Sequence, residues 1–308
     1  MAVHPEKSLH LVGVGVKHSI APPMHNFIAE SLGLPWTFHS TECPTLEDLL
    51  DLARTPTTAG LVVTMPYKNA VLPRLDRLDD LATTIGACNN VYRDPSDDTK
   101  LVGTNTDWLG IKGCLLERGD EASRPREGNT NSPALIIGAG GASRAAVYAL
   151  AVHLHCPTIY LLNRDDREVR DLIRDISRIH PTPDLIHVKS VEQASELNTP
   201  YYIIGTVPDF PPKSESELKV AAVLEHFLTR PSPSGVLLDM CFKPRQTRII
   251  KLAQKYGWPT VEGTHVIGYQ ISQQWKLWAG ADVAAELDND GAWKVLNKAA
   301  DESAAINF

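Results

Sequence analysis

"ALIIGAGGASRAA", residues 134–146, sets a run of apolar side chains against three glycines and then an alanine-rich segment. The first part reads as a covered strand and the last as a helix, joined by the tight turn that Gly138, Gly140 and Gly141 permit. Glycines at such a turn let the backbone approach a pyrophosphate, which would rest on the N-terminus of the following helix. The pattern is G-x-G-x-x-S, since Ser143 takes the third position. The plainer alternative is a glycine-rich turn with no ligand. Context favours a dinucleotide. The next apolar run, "TIYLLN", ends in Asn163, Arg164 and Asp165, where such a unit reads the adenosine ribose. Arg164 can hold a 2′-phosphate and so favours NADP, whereas Asp165 can accept from a free 2′-hydroxyl and favours NAD. The balance leans to NAD with NADP possible; the alternative is a solvated charge cluster at a strand end.

Outward from this turn the same alternation continues through "LIHVKS", "YYIIGTV" and "GVLLDM". Before it, residues 117–133, "ERGDEASRPREGNTNSP", are polar and lack an apolar period, which reads as a linker or surface loop. The first third alternates again. "LHLVGVGV", "WTFHSTE", "GLVVTM" and "NNVYR" read as strands, while "MHNFIAESLGL", "LEDLLDLART" and "KNAVLPRLDRL" read as helices. Strands separated by helices predict βαβ units and mostly parallel sheets covered on both faces. The stretch 270–300 carries apolar residues at helical spacing and predicts two helices.

The chain has 308 residues, 43% hydrophobic and 22% charged, with a formal net charge of -7. That length suits two domains. An acidic chain lacks the basic footprint of a nucleic-acid binder, and no apolar run reaches the roughly 20 residues needed to span a bilayer. No secretory signal is evident at the start. The five cysteines are scattered without metal-ligand spacing, which suits reduced thiols in a cytoplasmic protein with no metal.

The stretch "AGLVVTMPYKNAV", residues 59–71, raises a chemical question. A hydrophobic strand breaks at Met65-Pro66 and delivers one cation, Lys68. A surface lysine needs no such preparation. "GTNTDWLG", residues 103–110, sets Asp107 among small polar residues before an apolar helix, where helix capping is the commonest role. Turns after strands of one parallel sheet emerge at the carboxyl ends, where open α/β sheets bind ligands. A Lys68/Asp107 pair there can move a proton to or from an alcohol oxygen, while a nicotinamide takes or gives the hydride.

Several segments in order resemble the shikimate and quinate dehydrogenases: "GVGVKHSIAPPMHN", "GLVVTMPYK", "IGACNN", "GTNTDWLG", "GAGGASRAA", "NRDD", "DMCFKP" and "GTHVIGYQISQQWKLWAG". The match runs from Gly13 to Gly280, and "KPRQTRIIKLAQKYGW" is similar to the dehydrogenase part of the fungal multifunctional shikimate-pathway enzyme. The resemblance implies an α/β fold, with an N-terminal substrate domain, a C-terminal Rossmann domain and a cleft between them. The expected divisions are 1–116 for substrate, 117–133 as linker, 134–262 for NAD(P), and 263–308 as helices packing back toward the substrate domain. Lys68 would be catalytic with Asp107 as its partner. Ser19 would hold a carboxylate, and Thr64, Asn89 and Gln270 would hydrogen-bond carboxylate or ring hydroxyls. On the cofactor side the implied residues are Gly138, Gly140, Gly141, Ala142, Ser143, Asn163, Arg164, Asp165, Thr206 and Val207. His18 and His25 read as positioning residues, and His265 as a candidate for the pocket wall.

Three positions lose the family's polarity. Its Ser-x-Ser is Ser19-Ile20-Ala21 here, its Asn-Val-Thr is Val62-Val63-Thr64, and the tyrosine of its D-x-x-Y-x-P is Phe242. The expectation is an NAD(P)-dependent dehydrogenase of a small cyclic hydroxy acid, quinate foremost, acting as a monomer or homodimer. The rival is a silent paralogue that senses such an acid; a complete Lys/Asp pair and glycine turn argue against it.

Overall fold

The structure, a computed structural model, describes residues 5–119, 121, 124, 132–230 and 235–308. Most of the expected linker therefore lies outside the described residues. The chain divides into two compact units, one of Met1–Thr106 with Ile267–Asn307, the other of Asp107–Val266 with Phe308.

The first unit opens with β1 (Lys7–Gly13), α1 (Ala21–Ser31), β2 (Trp36–Glu42), α2 (Leu46–Arg54) and β3 (Thr58–Val63). Then come β4 (Arg77–Leu78), α3 (Asp80–Ile85), β5 (Asn90–Asp94) and β6 (Asp97–Thr104). Its six-stranded sheet has the order β2-β1-β3-β5-β6-β4. β1 pairs in parallel with β2 and β3, and β4 with β6, while β5 runs antiparallel to β3 and β6, so five of the six strands point the same way and the sheet is mostly parallel with one reversed strand. The run that ends "GLVVT" forms β3 because Leu61 and Val63 are fully covered, with Val12, Leu49, Val91 and Leu101 in the same core. "KNAVLPRLDRL" is not the expected helix. Only Leu72–Arg74 coils, as a short 3₁₀ turn, before β4. Pro73 has no amide hydrogen to donate and limits coiling to a single turn.

The second unit holds α4 (Asp107–Glu117), β7 (Ala134–Ile137), α5 (Gly141–Tyr148), β8 (Thr158–Leu162), α6 (Asp166–Asp175), β9 (Asp184–His187) and α7 (Val191–Ser195). It continues with β10 (Tyr202–Gly205), α8 (Glu215–Thr229), β11 (Val236–Asp239), α9 (Arg248–Lys255), β12 (Thr260–Glu262) and α10 (Thr264–Gly268). The six strands lie in the order β12-β11-β10-β7-β8-β9, and every neighbouring pair is parallel. This is a Rossmann-like sheet, and β7, which feeds the glycine turn, sits at the point where strand order reverses. All four residues of β7 are buried.

The first unit is completed by α11 (Ile271–Ala279), α12 (Ala281–Ala285) and α13 (Asn289–Glu302), three helices where periodicity suggested two. Gly280, at φ +91°, divides α11 from α12. Among the described residues no helix is long and apolar enough to cross a membrane.

Candidate active site

The first unit brings several of the expected substrate residues onto one set of strand ends. β1 and β3 are parallel neighbours, and Ser19 and Lys68 lie in the turns that follow them. Those turns are joined: the Val14 amide donates to the Met65 carbonyl at 3.1 Å, and the Thr64 amide donates to the Val12 carbonyl at 2.9 Å. Ser19 and Thr64 are both half-buried. The Ser19 hydroxyl accepts from the Ala21 amide at 3.2 Å, which fixes it at the start of α1.

Lys68 is held through its backbone. Its carbonyl accepts from the Cys88 amide at 2.7 Å, and the preceding Tyr67 hydroxyl donates to the Cys43 carbonyl at 2.8 Å. The next residue after Cys88 is Asn89, whose carbonyl accepts from the Val63 amide at 2.7 Å. The Lys68 turn and Asn89 are thus tied to one another on both sides of the β3 terminus.

Asn89 begins a buried polar network. Its Oδ1 accepts from the Thr106 amide at 2.6 Å, and its Nδ2 donates to Gln270 Oε1 at 2.9 Å. The same Gln270 oxygen accepts from Thr106 Oγ1 at 2.6 Å and from Gln274 Nε2 at 3.3 Å. Asn89 is 1% exposed and Gln270 6%, so these bonds form away from competing water. An amide oxygen taking three donors fixes the side-chain flip, so the NH₂ is the other, donating end of the Gln270 amide. Thr106 and Gln274 were not among the residues singled out from sequence, yet they set that orientation. The peptide bond after Thr106 leads directly to Asp107, which opens α4 and is buried.

The expected cofactor residues gather in the second unit. Gly138 has φ +118°, and a Cβ there would collide with the Thr206 hydroxyl and Val207. A Cβ on Gly140 would meet nothing within 4 Å. That turn therefore leaves open space beside a helix N-terminus with no side-chain cap, as a pyrophosphate requires. Ser143, in the place of the usual third glycine, shares a 2.8 Å hydrogen bond with Thr206, which in turn donates to the Ile137 carbonyl at 2.8 Å. The hydroxyl thus ties helix to strand where glycine would allow bare contact. Sequence reasoning missed Arg144. It is 5% exposed, donates from Nη1 to the carbonyls of Ala139 at 2.9 Å and Gly140 at 3.1 Å, and pairs through Nη2 with Asp175 at 2.5 Å. It braces the glycine turn from behind.

At the end of β8, the Asp165 side chain accepts from the Arg167 amide at 2.7 Å and caps α6. Asn163 donates to the Asp165 carbonyl at 3.0 Å and to Glu168 at 2.8 Å. Further along the sheet, Asp239 at the end of β11 accepts from Thr247 Oγ1 at 2.7 Å and from the Cys241 amide at 3.1 Å. Burial pushes its carboxyl up to about 6.

The histidines fall in different settings. His18 Nδ1 lies 2.7 Å from the Gly15 carbonyl within its own turn. His265 Nδ1 lies 2.8 Å from Glu117 Oε2, at the far end of α4 from Asp107. His25 is fully buried against Phe38 and two tryptophans. Among the described residues no group of three or more His, Cys, Asp or Glu could hold a metal.

Comparison with known proteins places this assembly. A family profile described as the shikimate dehydrogenase substrate binding domain matches residues 11–91. The quinate dehydrogenase of Emericella nidulans is 35% identical over 295 residues, covering 90% of this chain and 89% of that protein. Among solved structures, the dehydroquinate dehydratase and shikimate dehydrogenase from S. pombe AroM superposes with a TM-score of 0.71 at 30% identity, covering 95% of this chain and 53% of that one. This chain thus spans about half of that two-activity protein. The quinate dehydrogenase from Corynebacterium glutamicum in complex with NAD shares the fold, with a TM-score of 0.73 at 23% identity, and covers 96% of this chain and 100% of that one. The chain belongs to the quinate/shikimate dehydrogenase family, and it is an oxidoreductase of that type.

Proposed function

We propose that the protein oxidises a ring hydroxyl of a cyclic hydroxy acid, quinate foremost, to the 3-dehydro ketone, with NAD as the preferred cofactor and NADP possible. The network that locks Gln270 as a donor beside Asn89, one peptide bond from Asp107, carries this reading. It supplies oriented amides for ring hydroxyls. Ser19 and Thr64 take the substrate carboxylate. The hydroxyl proton passes to Lys68, with Asp107 as its electrostatic and proton-transfer partner, as the carbon–hydrogen bond gives up its electron pair. A nicotinamide held at the glycine turn would supply the hydride acceptor. Gly138, Gly140, Gly141, Ala142 and Ser143 would hold the pyrophosphate, with Thr206 and Val207 bordering the turn, and Asn163, Arg164 and Asp165 would meet the adenosine ribose. The domain roles follow the same division: residues 1–116 and 263–308 for substrate, 134–262 for dinucleotide. We take the enzyme to be cytoplasmic and either a monomer or a homodimer.

The test is absorbance of the reduced nicotinamide with quinate or shikimate, each with NAD and NADP. Quinate with NAD should give the highest kcat/KM. Absence of turnover in all four combinations overturns the reading.

Ala21 and Val62 sharpen the substrate assignment. They replace polar residues of the family beside Ser19 and Thr64, and Ala21 is buried while Val62 is half-buried. A pocket without these two polar side chains suits a ring substituted differently from the one that the family's polar residues contact. The double substitution Ala21→Ser with Val62→Asn should shift the efficiency ratio toward shikimate by about tenfold, the equivalent of one regained hydrogen bond of about 1.4 kcal/mol. An unchanged ratio would show that these positions do not select the ring.

A further inference from the structure

We propose that Glu217 is a cofactor-specificity residue: by holding the Arg164 guanidinium in an ion pair, it makes the end of β8 accept a ribose with a free 2′-hydroxyl and turn away a 2′-phosphate. The inference rests on the reading that the glycine turn holds a nicotinamide dinucleotide. Glu217 lies 53 residues from Arg164 in the chain, and its Oε1 sits 2.5 Å from Arg164 Nη1. The pair joins the segments that follow β8 and β10, the two strands that flank β7 and its glycine turn.

The glutamate is the fixed partner. Its Oε2 accepts from the backbone amides of Lys213 and Ser214, each at 2.9 Å, and its own amide donates to the Ser214 hydroxyl at 3.3 Å. This capping box anchors the carboxylate to the first turn of α8. Those two backbone amides, Ser214 first, and then Arg164 hold the carboxyl down at about 2, so it stays ionised at any working pH. Arg164 is 64% exposed and long, so it is the mobile member that comes to the anchor.

Two consequences follow for a ligand at the end of β8. The arginine that sequence alone would give to a 2′-phosphate is already neutralised. A phosphate approaching it would also meet the Glu217 carboxylate, in addition to Asp165, and like charges repel. A 2′-hydroxyl suffers neither penalty and can donate to a carboxylate. Lys189, another cation of this region, is occupied by Asp166 at 2.8 Å.

The experiment is direct titration of the purified protein with NAD and with NADP, without ring acid, on the unaltered chain and on Glu217→Gln. Glutamine keeps an oxygen acceptor for the Lys213 and Ser214 amides but removes the charge that holds Arg164. Affinity for NADP relative to NAD should rise by about tenfold, with NAD itself changed by less than about threefold. Adding Arg164→Gln to that variant should remove the gain. Arg164→Gln alone should weaken NADP further, because it leaves Glu217 unneutralised, and this arm decides the matter even where Glu217→Gln folds poorly. The proposal is overturned if the unaltered protein prefers NADP. A ratio that Glu217→Gln leaves unchanged overturns it too, as does a gain that survives loss of Arg164, for another cation such as Arg167 would then be responsible. If neither dinucleotide binds the unaltered protein, the dehydrogenase reading itself falls, and this inference with it.

Discussion

Exchange of Lys68 for Met should lower kcat by about 10²–10⁴-fold, the usual worth of a positioned acid–base group, while ring-acid affinity changes by less than about tenfold. Methionine keeps most of the side-chain length and removes only the amine. The turn should survive the change, because its anchors are elsewhere: the Tyr67 hydroxyl on the Cys43 carbonyl and the Cys88 amide on the Lys68 carbonyl. The loss is therefore chemical rather than structural. Lys68→Arg should not rescue it, since a guanidinium does not give up its proton in the working range. Asp107→Asn should cost a comparable factor if the two act as a unit, and the double variant should then be little worse than either single one. Steady-state kinetics together with direct binding of the ring acid would check this. Near-normal turnover in Lys68→Met would return Lys68 to the role of a surface cation.

The parts of this fold that were legible in the sequence share a physical cause. β3 and β7 lie under cover on both faces, so they are written as unbroken Val, Leu and Ile runs, and Gly138 after β7 is demanded by a positive φ and no room for a Cβ. β6 was missed because its first half, Asp97–Lys100, is largely exposed and charged, and only its second half is buried. β12 is three residues long and offers no period to read. The helical look of residues 68–78 came from leucine spacing that Pro73 overrides. For the site, Lys68 and the glycine turn announce themselves locally. Thr106 and Gln274 do not, since their meaning is a hydrogen-bonded partner 164 or 168 residues away. Glu217 was readable as the fourth residue of a capping box but not as the partner of Arg164. Long-range pairing is the information that a single sequence withholds.

Acidification from pH 7.5 to 4.5 should draw stability out of the first unit through His25, and the same residue should raise the KM for the ring acid over that interval. His25 is 1% exposed, stacked on Phe38 at 4.2 Å, and packed against Trp275 and Trp278 of α11. Its Nδ1 accepts from Trp275 Nε1 at 3.1 Å, so the neutral ring carries its hydrogen on Nε2. Protonation would put a second hydrogen on Nδ1, facing a donor. Burial drives the imidazole down from 6.5 to about 3. The unfolded chain thus binds a proton near 6.5 that the folded chain refuses, and stability present above 6.5 is lost as the pH falls toward 3. At pH 4.5 that loss is on the order of 2–3 kcal/mol, at about 1.4 kcal/mol for each pH unit below 6.5. His10, lowered to about 4 mainly by burial, adds to the loss. Asp239 in the second unit opposes it, because a carboxyl raised to about 6 takes up its proton earlier in the folded state. A substitution at His25 separates these contributions. His25→Gln keeps an acceptor for Trp275 but cannot titrate. It should lower stability at pH 7.5 and shrink the change between pH 7.5 and 4.5 by about 2 kcal/mol, read from urea midpoints at the two pH values. The functional consequence runs along α11. Gln270 is the residue before that helix, Gln274 lies within it, and Trp278 Nε1 donates to Asn90 Oδ1 at 3.2 Å beside Asn89. Loosening the face that His25 supports loosens the frame holding the Gln270 amide. KM should therefore rise on acidification in the unaltered enzyme, before the urea midpoint has collapsed, and rise less in His25→Gln. Equal pH slopes of stability in the two proteins would remove His25 as the cause.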